Sequence, residues 1–496
     1  MKKSINSTVI FIIVIALISR CEKLGDFGNT NVNPSTTRSP VTSALLTNVL
    51  TGLSEYSDSY PDFYNWAALY CQYASQTYIT ERSRYIAHMS SPMNFYYSDL
   101  YDLQNIILIN TDETTMVNAS ENGANENQIA IARILKAYIF WTITDRWGDI
   151  PYTDALKGEP NVSYDPQESI YKNLLTELTE AVAQFTEGAP IKGDIVYEGK
   201  ILKWKKFANS LRMLMSLRLS EIYPLATDYA STQFKAGLED AAGSIETNDD
   251  NFQLNFPGGS FRNPYYIMYD AGGYTGESET MTTLLQSLNN DQRQTVFGSD
   301  ANGFPSNTGV PYGRNDVYIS SWIDANPTWC YIFSPEYRKV TSPVYIITAS
   351  QILLARAEAA DRGWTSETPN TAALYQEGIT LSYLQWGLDA PDMTYFNSPN
   401  IALVEPPGTG ANLKQIAIQQ YIAFYPDGVQ GWSNWRRTNY PELLPAPDAS
   451  NDPKVIPRRY MYGPEDYTLT KAGVEEAVAR LSGGDRMDSR VWWDKE

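Results

Sequence analysis

Histidine is almost missing from this 496-residue chain: His88 is the only one. A serine or cysteine triad would have to use it, and no G-x-S-x-G elbow accompanies it. Zinc chemistry built on several histidine ligands is excluded outright. Cysteine is nearly as scarce, with Cys21, Cys71 and Cys330 far apart and without metal-ligand spacing. Cys71 and Cys330 either pair or, as their isolation favours, stay two buried thiols. Positive charge is short too: 38 Lys and Arg against 57 Asp and Glu leave a net charge of −19 and a pI of 4.6. That balance argues against nucleic acid and against anionic membrane surfaces as partners. Long apolar runs are also lacking. Val9 to Ile18 is the longest, and it is too short to span a bilayer.

What stands around that run is informative. Lys2 and Lys3 precede it and Cys21 follows it, the pattern of a cleaved secretory signal over residues 1–20. A cysteine directly after such a run suggests a bacterial lipoprotein in which Cys21 becomes the lipidated N-terminus, tethering an otherwise soluble body. One departure is Arg20, just before Cys21, where such signals carry a small residue. Residues 21–40 are polar and turn-rich, an arm between anchor and body. Residues 41–496 contain no composition break and read as one domain.

Helical periodicity dominates that domain. The spacing predicts helices over Ser43–Tyr56, Phe63–Ser75, Phe95–Ile109, 126–147, Ser169–Phe185, Trp204–Ile222, Val344–Gly363, Thr371–Trp386 and 470–481. Asp145-Arg146, with Asp149 beyond, reads as a salt-bridged helix end. The basic face of Lys203, Lys205, Lys206, Arg212 and Arg218 reads as internally paired or solvated in so acidic a chain. From about 245 to 343 the periodicity fades and Gly, Pro, Asn, Tyr and Trp crowd in, predicting loops with a few short strands such as Asp316–Trp322. Gly258-Gly259 and Gly272-Gly273 have no strand–helix context for cradling phosphate. A long irregular insertion on a helical scaffold is where binding residues tend to sit.

Aromatic residues are abundant: 35 Tyr, 12 Trp and 16 Phe. The densest stretch is 413–441, LKQIAIQQYIAFYPDGVQGWSNWRRTNYP. Leu413, Ile416, Ile418, Tyr421 and Ile422 make an apolar helical stripe, which Asp427-Gly428 is expected to end. Trp432, Trp435 and Arg436-Arg437 follow, then the stop Tyr440-Pro441. Clustered Trp more often serves as core than as a binding platform, so this reads as a buried aromatic–arginine knot.

The motif W-x-x-W-R-R-T-x-Y-P after that helix resembles the SusD/RagB family of outer-membrane nutrient-binding lipoproteins. Further matches recur in the family's order at 27–34, 144–152, 204–218, 352–364, 456–462 and 483–494. The resemblance implies a mainly α fold, with tetratricopeptide-like helix pairs as scaffold and long loops as ligand face. It implies a lipid-anchored protein on the exterior of the outer membrane, capping a SusC-like TonB-dependent β-barrel transporter. Such a protein captures an oligomeric nutrient, an oligosaccharide or in some members a peptide, with no cofactor, no metal and no catalysis of its own.

Glycan binding needs flat aromatic faces and side chains that hydrogen-bond hydroxyl groups. The candidates in the loop region are Tyr274, Tyr312, Trp322, Trp329 and Tyr331, with Arg314 and Asn315 as polar partners. Tyr78, Arg82 and Tyr85, just after an early helix, form a second set. Core packing is the competing use for each. The rival function is an exported glycoside hydrolase, which needs two carboxylates about 5 Å or about 6.5–9.5 Å apart. A purely structural surface lipoprotein is a third reading, disfavoured by the aromatic loops.

Overall fold

The computed structural model describes residues 41–56, 66–158, 162–404 and 406–495. Cys21, the apolar run and the 27–34 motif lie outside the described residues. From Thr42 onward the chain packs as one unit.

Helix pairs build the scaffold. α1 (Thr42–Gly52) lies on α3 (Tyr101–Thr111), with the short α2 (Ala67–Tyr70) between them in sequence. α4 (Asn125–Trp147) pairs with α5 (Gln167–Gln184), and α6 (Ile201–Arg218) with α7 (Tyr229–Leu238). After the loop region, α9 (Ala349–Asp361) pairs with α10 (Thr371–Gln385), and α11 (Leu413–Phe424) with α12 (Gly428–Thr438). Helix α8 (Asp316–Ala325) belongs to the loop region, and α13 (Lys471–Ala479) precedes the C-terminal tail. Successive pairs also touch, α5 on α6 and α9 on both α6 and α11. The mainly helical, SusD-like architecture expected from the resemblance is present.

Local chemistry sets the ends. Gly148 stops α4 at φ 91°, its N–H returning to the Thr144 carbonyl. Thr348 and Gln351 form a reciprocal capping box at the start of α9. Four expectations change. Val344–Ile347 is not the first turn of α9 but strand β4, paired with β2 (Phe252–Leu254); its Val-Tyr-Ile-Ile run suits a strand better than a helix. Of the Phe63–Ser75 helix, residues 63–65 lie outside the described residues, and the rest holds only α2 before the chain turns at Gln72 (φ 60°) into strand β1 (Ala74–Gln76). Asp427-Gly428 begins a helix rather than ending one: the Asp427 side chain accepts from the Gln430 N–H at 2.9 Å and caps α12. Asp316–Trp322 is helix, not strand. Asn315 accepts from the Tyr318 N–H at its start, and Ile319, Trp322 and Ile323 share one face of α8.

Two members of the basic face of α6 are internally paired, Lys206 with Asp250 at 2.8 Å and Arg218 with Asp145 at 3.7 Å. Asp145 therefore pairs across to α6 rather than with Arg146, which donates to the Tyr56 carbonyl at 2.7 Å. Cys71 and Cys330 are buried free thiols. Among the described residues no helix is long and apolar enough to cross a membrane.

Candidate ligand-binding face

Strands β1 and β3 (Thr275–Glu277) run antiparallel, with Gln76 opposite Thr275. The ladder continues one step, the Thr77 N–H donating to the Tyr274 carbonyl at 2.8 Å. Tyr78 and Tyr274 are thus delivered together at the open end of the two strands, ring centroids 5.5 Å apart. They are 58% and 46% exposed. Two backbone devices hold them there. Gly273 sits at φ 49°, and a Cβ at that position would strike the Tyr269 ring. Ile79 is at φ 50°, a region that β-branched residues avoid, in a loop pinned where the Arg82 and Ser83 N–H groups donate to Gln76 Oε1.

Helix α8 forms the neighbouring rim. The Thr80 N–H donates to Asp316 Oδ1 at 3.0 Å, tying the Tyr78 loop to the helix start. Tyr318 is 43% exposed, and the Arg314 guanidinium lies 4.8 Å from its ring centre. Asp448 fixes this corner: it accepts from Asn315 Nδ2 at 2.8 Å and faces Arg314 Nη1 at 3.7 Å. Beneath α8, Val310, Ile319 and Trp329 form a small apolar core, with Trp322, Ile323 and Tyr331 packed on it.

The ten sequence candidates therefore separate. Tyr78, Tyr274, Arg314 and Asn315 share the rim. Trp322 and Tyr331 are half-buried supports. Tyr331 stacks on Trp329 at 4.1 Å, with the Arg338 guanidinium 5.2 Å from its ring centre. Trp329 is buried, close against Gly276, where a Cβ would sit 2.8 Å from its ring. Tyr312 and Tyr85 offer no face to a ligand. Tyr312 is buried, its hydroxyl donating to the Leu69 carbonyl at 2.6 Å. Tyr85 is also buried, which pushes its phenol up to about 12. Arg82 lies over Trp66 at 5.5 Å. Sequence reasoning missed Tyr318 and Asp448. Reading α8 as a strand hid Tyr318, which helical spacing puts at the solvent edge of the stripe, one turn before Trp322; Asp448, distant in sequence, gave no signal.

Paired helices thus carry an open rim of Tyr78, Tyr274 and Tyr318, with Arg314, Asn315 and Asp448 beside it. A family model for SusD-like proteins, described as starch-binding and associating with outer membrane, matches residues 33–463. The chain belongs to this SusD-like family. A chitin-binding protein is 26% identical, aligning 92% of this chain with 100% of its own at a TM-score of 0.75. A chitin-binding SusD homolog from Flavobacterium johnsoniae is 22% identical over 92% of this chain and 98% of its own, TM-score 0.75. A SusD homolog from Bacteroides uniformis is 23% identical over 92% and 99%, TM-score 0.73. No curated protein matches the chain.

Proposed function

We propose that this protein is a lipid-anchored, outward-facing outer-membrane protein that captures an oligosaccharide and hands it to a SusC-like TonB-dependent transporter, without catalysing a reaction. The observation that carries the reading is the paired exposure of Tyr78 and Tyr274 beside Tyr318, with Arg314 and Asn315 at hand. Tyrosine faces stack on sugar C–H surfaces, and each such stack contributes about 1 kcal/mol by analogy with aromatic pairs. Acetylated amino-sugar chains are the first ligand to try, because a relative of this fold binds chitin. Membership of a family associating with outer membrane supports the location, and Cys21 supplies the anchor.

Calorimetry with chito-oligosaccharides, other neutral glycans and peptides tests the ligand. Saturable glycan binding that Tyr274→Ala weakens is expected; binding of peptides alone, or release of shortened sugars, overturns it. Gentle detergent extraction followed by pull-down and mass spectrometry tests the partner. A TonB-dependent barrel in near-equal amount is expected, and recovery of the protein alone counts against delivery.

A further inference from the structure

A cavity of about 270 Å³ lies away from the aromatic rim, between α3, α4, α5 and the loop that follows α4. Its floor is apolar and aromatic: the Phe140 and Tyr152 rings meet edge to face at 4.8 Å. Its cations outnumber its carboxylates. Arg133, Lys136 and Lys157 line it against Glu177 alone, in a chain whose net charge is −19. Two of those cations are already matched, Arg133 by Glu177 at 2.8 Å and by Glu180, and Lys157 by Asp154 at 2.6 Å. Lys136 is not. Its Nζ donates to the neutral Gln104 Oε1 at 2.6 Å and forms no ion pair among the described residues. Burial, with Arg133 adding to it, pulls its ammonium down to about 8 against the opposing pull of Glu177.

We infer that this cavity is a second ligand site, one that takes a small carboxylate-bearing molecule of sugar-acid type. The carboxylate pairs with Lys136 Nζ, and the molecule's carbon skeleton lies against Phe140 and Tyr152. A half-buried ammonium with one neutral acceptor gains most from an anion, since charge-assisted hydrogen bonds strengthen as water is excluded. The volume lies just below the usual range for small-molecule pockets, about 300–1,000 Å³, and so admits one ring rather than a chain. Asn173, which accepts from the Tyr152 hydroxyl at 3.4 Å, and Gln104 leave amide N–H groups for ligand hydroxyls.

The probes are glucuronate, a disaccharide ending in glucuronate, and glucose as neutral control, added to the folded protein while lysine side-chain NMR signals are followed. Glucuronate is expected to shift the Lys136 signal saturably and glucose to leave it still. Binding should weaken about tenfold in Lys136→Met, the loss of one charged hydrogen bond. It should also fade as pH rises above about 8, where Lys136 discharges. The facing groups do not mimic that profile. Arg133 stays cationic between Glu177 and Glu180, and burial pushes the Tyr152 phenol far above its ordinary value. Binding of the free acid alone, or of both acids, supports the site and tells the sources apart. An unmoved Lys136 signal, equal response to glucose, or full affinity in a folded Lys136→Met overturns it. Glucuronate binding that persists in a Tyr274→Ala background separates this site from the rim, and its loss there overturns a second site.

Discussion

At the C-terminal end of α12, Trp432 donates its indole N–H to the Pro457 carbonyl at 2.8 Å, and Arg436 sits 3.7 Å over its ring. Trp493, from the tail, covers the other side of Arg436 at 4.6 Å and donates to Asp145 at 2.8 Å. At the rim, Arg314 and Tyr318 make the same kind of pair, 4.8 Å apart, yet both remain open to water. Residue type does not distinguish the two clusters. The knot has a covering layer, the returning tail, and acceptors for the Trp432 and Trp493 indole N–H groups; among the described residues the rim has no covering layer, and its rings keep a bare face. Exposed aromatic surface held by rigid strands and a capped helix is what a ligand can use.

The deepest part of the scaffold should break hardest. Glu358 on α9 accepts from Arg437 of α12 at 2.7 Å, from Arg362 at 2.8 Å and from Gln420 of α11 at 2.9 Å, joining three helices. Arg437→Ala removes one partner of a buried charge and should cost about 3–5 kcal/mol in denaturant unfolding, with glycan affinity of the folded fraction unchanged. Trp329→Ala, which empties the small core under α8, should cost about 3 kcal/mol and, unlike Arg437→Ala, also weaken glycan binding by letting Tyr318 shift. A Trp329→Ala protein with full affinity would show that the rim does not depend on that support.

Acid sharpens the same contrast. Burial pushes the Glu358 carboxyl up, but the Arg437 and Arg362 charges outweigh it and hold the group at about 2, below its ordinary 4.5. The folded state therefore binds fewer protons than the unfolded chain between those values. The stabilisation is complete above 4.5 and is lost as pH falls towards 2, about 3 kcal/mol in all. Unfolding measured for wild type and Glu358→Gln should show the difference between the two shrinking across that interval. A constant difference would mean that the carboxylate is not held by its arginines.

The scaffold was legible because long amphipathic helices repeat their apolar positions every three to four residues; α4, α5 and α10 lie within two residues of their expected bounds and α6 within four. Legibility failed where apolar runs are short. Val344–Ile347 and Asp316–Trp322 each offered too few residues to separate a period of 2 from one of 3.6. The rim was half legible. Tyr78 and Tyr274 lie far apart in sequence, and only the pairing of β1 with β3 joins them. Tyr312 and Tyr85 carry the same side chain, and nothing local marks them as covered.

The smallest expected effect tests the rim itself. Tyr78→Ala and Tyr274→Ala each remove a ring that the fold does not bury, so thermal stability should move little. Each should weaken glycan binding by about 1 kcal/mol, roughly fivefold. The two rings stand 5.5 Å apart at a tilt of 40°, close enough to brace one another under a shared ligand. In a double-mutant cycle the pair should lose less affinity than the two single losses added, because removing either ring already frees the other to move. Strictly additive losses would assign the rings to separate sugar units. Unchanged affinity in the double variant would leave α8, with Tyr318 and Arg314, as the part of the rim that grips.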